Sequence, residues 1–131
     1  MLHVRSIKSG FTLPIITSNQ LINVYSKRCL INEAQKLFDE MPQRNIYSWN
    51  TMISVHIKSR NIAKAKFIFD SAPVRDLVTY NIMLSGYVNV DGYERNALDL
   101  FVDLQSKRNE IGIDDFSVTS MAIAFIYAEN R

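Results

Sequence analysis

Three asparagines, Asn19, Asn50 and Asn81, recur in this chain at intervals of 31 and 31 residues. A side-chain carboxamide carries a donor and an acceptor on one flat group, which is the pattern that reads the Watson–Crick edge of a nucleobase. Three residues before each asparagine stands an apolar side chain, Ile16, Tyr47 or Val78, on which the flat face of a base can pack. Asn45, Asp76 and Asp115 fall at turns between units, where they reach the same groove from its other side. The same three residues are also suited to cap the helices that follow them, and capping does not exclude contact with a base. Asn23, Ser54 and Ser85, four residues after the asparagines, complete a polar set on one side of each helix.

The elements that carry these residues form a tandem array. The spacing of 31 is shared by Ile22, Ile53 and Leu84 and by Tyr25, His56 and Tyr87. It also relates Ala34 to Ala65 and Phe38 to Phe69, with Ala97 and Phe101 one residue late. Within a unit, Ile46, Trp49, Met52, Ile53, His56 and Ile57 recur at helical spacing and predict one buried stripe. Asn61 is placed to cap a second helix whose stripe is Ile62, Ala65, Ile68 and Phe69, and Pro73 forbids its continuation. A lone helical hairpin cannot cover its own apolar face, so the units must stack into an all-α solenoid of helix-turn-helix hairpins.

The expected divisions are a tail at 1–14, repeats at 15–45, 46–76 and 77–115, and a first helix of a fourth repeat at 116–131. The third repeat is longer, at 39 residues, with the excess near Asp91-Gly92 and in the charged segment from Ser106 to Gly112. The fourth unit stops after one helix, which leaves Met121, Ile123, Phe125 and Ile126 without a partner helix.

Composition excludes several classes. With 131 residues, 47% of them hydrophobic and 21% charged, the chain is one ordinary globular domain's worth. A mean hydropathy of -0.05 and the absence of a long apolar run argue against a membrane-spanning helix. One cysteine and two histidines exclude a disulfide framework and the usual structural zinc sets, so no metal or cofactor is expected. A formal charge of +2 is too small to indicate a nucleic-acid partner by itself. Trp49 and Tyr80 lie on the buried stripe and read as core, and His56, which replaces a tyrosine of the array, reads as packing. Cys29 falls in a helix-linking turn and is not a catalytic candidate. Lys27, Arg28, Lys58 and Arg60 read as solvated helix ends with a secondary attraction for phosphate, and Lys107, Arg108 and Glu110 as a solvent-exposed loop.

The stretches NQLINVYSKRCLINEAQKLFDEMPQRN and SWNTMI resemble pentatricopeptide repeats, in particular the short repeats of the plant PLS subfamily, and LVTYNIMLSGY resembles the first helix of such a repeat. LHVRSIKSGF is similar to the tail of a preceding long-type repeat, and IDDFSVTSMAIAF to the entry of the next, as in a fragment of a longer array. The resemblance implies binding of single-stranded RNA, one base per repeat, with the fifth and last residues of each repeat selecting the base. Carried onto this chain, the base-selecting residues are Asn19 with Asn45, Asn50 with Asp76, Asn81 with Asp115, and Ser120. The implied preference is pyrimidine-U-U, read 5′ to 3′ in chain order, with Ile16, Tyr47 and Val78 packing against bases. The added length of the third repeat departs from the family pattern at Asp115.

The resemblance further implies an organellar factor for RNA processing or C-to-U editing, in the mitochondrion ahead of the chloroplast, with editing-complex proteins as partners beside the RNA. The H-x-E and C-x-x-C ligands of a zinc deaminase are absent from the sequence. The expectation is therefore a non-enzymatic module that positions RNA, with no small-molecule substrate. The competing readings are a helical-repeat scaffold for protein–protein interaction and a truncated, nonfunctional product.

Overall fold

The computed structural model describes residues 13–107, which form six helices. These are α1 (Ile15–Lys27), α2 (Ile31–Glu40), α3 (Ile46–Lys58), α4 (Ile62–Ser71), α5 (Leu77–Asn89) and α6 (Glu94–Ser106). They pair as three consecutive hairpins, α1 with α2, α3 with α4 and α5 with α6. Most of the expected tail at 1–14, and Asp115, Ser120 and the fourth unit, lie outside the described residues. Within them the chain is an all-α helical-repeat solenoid with no strand, and no helix is long and apolar enough to cross a membrane.

Helix limits follow from local chemistry. Asn45 and Asp76 each accept the backbone N–H three residues on, from Ser48 and Thr79, both at 3.0 Å. Ser48 and Thr79 in turn accept the N–H of Asn45 and Asp76 through their hydroxyls, which closes a reciprocal capping box at the start of α3 and α5. Asn61 caps α4 by accepting from Lys64 N at 3.2 Å. The second helices α2 and α4 stop at Glu40 and Ser71, two residues short of Pro42 and Pro73.

Inside the first two hairpins the chain reverses through a left-handed residue, Cys29 (φ 61°) and Arg60 (φ 65°). Bonds from Leu30 N to Tyr25 O and from Asn61 N to His56 O, both 2.8 Å, recover carbonyls that the helix ends leave unpaired. The third hairpin places Gly92 there, at φ 96°, and glycine adopts this region without the steric penalty of a Cβ. Part of the extra length of the third repeat therefore sits in this turn. Another part lengthens α6, which has 13 residues where α2 and α4 have 10.

The first helices α1, α3 and α5 stack side by side as one layer, and α2, α4 and α6 form the second. The second helices α2 and α4 also pack on the first helix of the next repeat, α3 and α5. Ile22, Ile53 and Leu84 are fully buried between the layers, as are Ala34, Ala65 and Ala97, whose small side chains let paired helices approach closely. Emptying the Ile53 site to alanine would cost about 2–5 kcal/mol. Edge-to-face contacts join the repeats, Phe38 to Trp49 with centroids 5.0 Å apart and Phe69 to Tyr80 at 5.3 Å. Tyr80 thus belongs to the core, and Trp49 packs against it half-buried.

Two expectations are corrected here. Lys107 is not a free loop residue: its Nζ donates to the Tyr80 hydroxyl at 3.0 Å and lies 3.6 Å from Asp103. The hydroxyl of Tyr80, brought up by burial of its ring, gives the ammonium a fixed acceptor. Within the buried stripe, Ile46, Trp49 and Ile57 are only half-buried, because they flank the centre line on which Met52, Ile53 and His56 lie.

Candidate nucleic-acid interface

Each first helix begins by presenting an apolar residue to solvent. Ile16, Tyr47 and Val78 are 70%, 54% and 53% exposed, which is unusual for large hydrophobic side chains at one recurring position. One turn further along, Asn19, Asn50 and Asn81 are 4%, 9% and 8% exposed. These carboxamides lie at the floor of the groove, and those of Asn19 and Asn50 are held by the neighbouring turn. An amide at such a position must be hydrogen-bonded or it destabilises the fold.

The partners come from the next repeat. Asn19 Nδ2 donates to Asn45 Oδ1 at 3.2 Å, and Asn50 Nδ2 donates to Asp76 Oδ1 at 3.5 Å. The cap that starts each following first helix is therefore also the side chain facing the asparagine 26 residues earlier. Asp115, the expected third member of this series, and Ser120 lie outside the described residues. Asn81 lines a groove of about 540 Å3 between α3 and α5, with Val78, Ser54, Ser85, Lys58 and Arg60 on its walls. A smaller space of about 260 Å3 has Asn50 at its floor with Tyr47 on one side and Val78 on the other. Asn23, from α1, reaches this space and donates through Nδ2 to the Tyr47 hydroxyl at 3.3 Å.

Electrostatics distinguish the caps. Burial by itself would raise the pKa of Asp76, but the Thr79 N–H, the adjoining Thr79 side chain and the Asn50 amide outweigh it and hold the carboxyl below its ordinary value. The groove wall thus carries a formal negative charge at Asp76 and none at Asn45. Lys58 and Arg60, both exposed, set positive charge at the mouth of the groove.

Two sets of residues escaped the sequence reading. The hydroxyls of Thr17, Ser48 and Thr79 recur with the same spacing of 31, and N-x-x-S and D-x-x-T ahead of an apolar run carried the signal of a capping box. Arg44 and Arg75 were visible as a repeated residue beside the turn but had no assigned role. Arg44 donates to the carbonyls of Phe38 (2.9 Å) and Asp39 (3.2 Å), with its guanidinium 4.4 Å from the Phe38 ring centroid and 5.4 Å from that of Trp49. Arg75 repeats the arrangement on Phe69, with a carbonyl bond of 3.1 Å and a ring distance of 5.0 Å. These arginines close the C-termini of α2 and α4, where cations are favoured.

His56 takes no part in the groove. Gln35 Nε2 donates to Asp39 at 2.8 Å, so Gln35 Oε1 is the acceptor left for His56 Nε2 at 2.7 Å. The imidazole proton then sits on Nε2, and Nδ1 is buried without a partner. Burial, helped by Lys64 and opposed by Asp39, pushes its pKa down, so the ring packs as a neutral group. Among the described residues no cluster of His, Cys, Asp and Glu has the makings of a metal site.

The asparagine recurs every 31 residues, and in the first two hairpins it is buried against the cap of the next unit. The model of the pentatricopeptide repeat, described as PPR repeat, matches residues 16–46, 47–75 and 78–109. The chain belongs to the pentatricopeptide repeat family. A putative pentatricopeptide repeat-containing protein of Arabidopsis thaliana is 49% identical over 121 residues, which cover 91% of this chain and 18% of that protein. Another from the same plant is 49% identical over 47 residues, 36% of this chain and 7% of its own length. A third, whose name marks it as chloroplastic, is 45% identical over 49 residues, 37% of this chain and 6% of its own. The chain spans 18% of the length of the first of these relatives.

Proposed function

We propose that the chain is a sequence-selective binding module for single-stranded RNA that reads one base per repeat. Proteins of the pentatricopeptide repeat family are generally organellar RNA-binding factors, and the arrangement around Asn50 supports the same role here. Tyr47 and Val78 line a space of about 260 Å3 with the buried Asn50 amide, and Asp76 stands beside that amide. A base entering there packs its faces on the two apolar side chains and turns its edge to the polar pair.

Base preference follows from what capping leaves free. Asn45 Oδ1 already accepts from Ser48 N (3.0 Å), Ser48 Oγ (2.9 Å) and Asn19 Nδ2 (3.2 Å). What Asn45 has left to offer a base is its NH2, a donor, which suits the unprotonated N3 of cytosine. Asp76 Oδ1 accepts from Thr79 N (3.0 Å) and Asn50 Nδ2 (3.5 Å), and Oδ2 is left to offer, an acceptor, which suits the N3–H of uracil. On this reading the first repeat takes a pyrimidine, leaning to cytosine, and the second takes uracil. The third takes uracil through Asn81 and Asp115. Lys58 and Arg60 attract the backbone.

Within the family we assign the chain to the PLS subfamily and to an organellar RNA-processing or editing factor, mitochondrial ahead of chloroplastic. Its partners are the transcript and the proteins of an editing complex, and its part is to position RNA rather than to transform it. Three repeats provide about micromolar affinity at best after association costs. Fluorescence anisotropy with U-rich, C-rich and A-rich single-stranded RNA tests this reading. Tighter binding of the pyrimidine-rich oligonucleotides is expected, and equal binding of all three at moderate salt would reject it.

A further inference from the structure

We propose that Thr79 is the positioning residue that fixes which edge of the Asn50 carboxamide a base meets, and so sets how sharply the second repeat discriminates. The inference rests on the RNA-reading function proposed above. Thr79 is fully buried and cannot itself touch a base. Its hydroxyl accepts from Asp76 N–H at 3.1 Å and stands 2.7 Å from Asn50 Oδ1 and 2.8 Å from Asp76 Oδ1. One hydroxyl thereby joins both members of the reading pair.

A carboxamide is nearly symmetric in shape, and a half-turn about its last bond exchanges donor for acceptor at little steric cost. A reading group that turns offers both patterns and distinguishes uracil from cytosine poorly. Turning Asn50 would remove the oxygen that receives the Thr79 proton and bring that oxygen against the carboxylate of Asp76, where the amide now donates at 3.5 Å. Two interactions oppose the turn. In the first repeat only one does: Asn19 Nδ2 donates to Asn45 Oδ1 at 3.2 Å, Ser48 Oγ is spent on Asn45 at 2.9 Å, and Asn19 Oδ1 is buried without a partner. The methyl of Thr79 also restricts its side-chain rotation, a restraint that Ser48 lacks. The second repeat is the sharper reader for this reason.

The test uses the whole chain and short single-stranded RNAs that differ only in U or C opposite the second repeat, with thermal melting of each variant alongside. Thr79→Val, which keeps the shape and removes the hydroxyl, should lower the U-to-C affinity ratio about tenfold. Thr79→Ser should recover most of the ratio. Ser48→Thr should raise discrimination at the base opposite the first repeat about threefold. A Thr79→Val variant that melts like wild type and keeps the wild-type ratio overturns the inference while leaving the proposed function standing. Wild-type chain that shows no U-to-C difference rejects both. Should Thr79→Val fail to fold, the Ser48→Thr arm decides, and an unchanged ratio at the first base overturns the inference.

Discussion

Asn45 and Asp76 occupy the same turn in successive repeats, cap helices of equal length, and each face an asparagine 26 residues back. They differ in one terminal atom, a nitrogen in Asn45 and an oxygen in Asp76. Both commit Oδ1 to the helix that follows, so the difference between the two caps is confined to the atom turned away from the helix. A single side chain can thereby hold the fold together and remain variable in what it presents. The capping box imposes the common part of the geometry, and evolution is free to change the rest without losing a helix start.

Exchanging the two caps puts this comparison to its strongest test. Asn45→Asp should move the first repeat from cytosine towards uracil, and Asp76→Asn should move the second the other way. Each shift should be about thirtyfold, on the order of 2 kcal/mol in the C-to-U affinity ratio by anisotropy. Melting should change little, since Asn and Asp cap nearly equally well. A shift in affinity common to all RNAs, with no change in ratio, would assign the caps a purely structural role.

The arginines beside the caps offer a smaller contrast. Arg44 binds two carbonyls and covers two rings, whereas Arg75 has one carbonyl bond and one ring. Urea unfolding should show Arg44→Ala losing about 1.5 kcal/mol and Arg75→Ala about half as much. Equal losses would mean that the second ring and carbonyl contribute nothing.

The smallest effect separates the repeats by pH. Asp76 has a folded pKa below its ordinary 3.8, so its contribution to stability is present above that value and is lost as pH falls through it. Asn45 has no such dependence. His56, held below 6.5, adds an earlier window: the unfolded chain gains the proton first, so stability declines as pH falls below about 6.5. Melting curves against pH should therefore show two declines. Asp76→Asn should flatten the lower one and His56→Phe the upper one, each by less than the changes expected at the caps and arginines.

The positions of the helices were legible because the signals for them are local. Asn61, Pro42, Pro73 and the alternation of apolar residues along α3 and α4 act within a few residues of themselves. Repetition made the asparagines and their apolar companions conspicuous as well. Lys107 was misread because its partner Tyr80 is 27 residues away, and no local pattern announces such a contact. The hydroxyls of Ser48 and Thr79 were overlooked for a related reason. Their local duty as cap partners is ordinary, and only Thr79's reach to Asn50, 29 residues earlier, gives one of them a second role.

The order of residues alone determined that this chain forms stacked helical hairpins with one asparagine and one turn residue per unit, since helix starts, helix stops and the repeat length are all written at short range. Whether the asparagines stand open or lie beneath the surface, and which of their atoms stay free, was settled only by stacking. A hydrogen bond between side chains 26 residues apart exists only once one hairpin has been laid against the next.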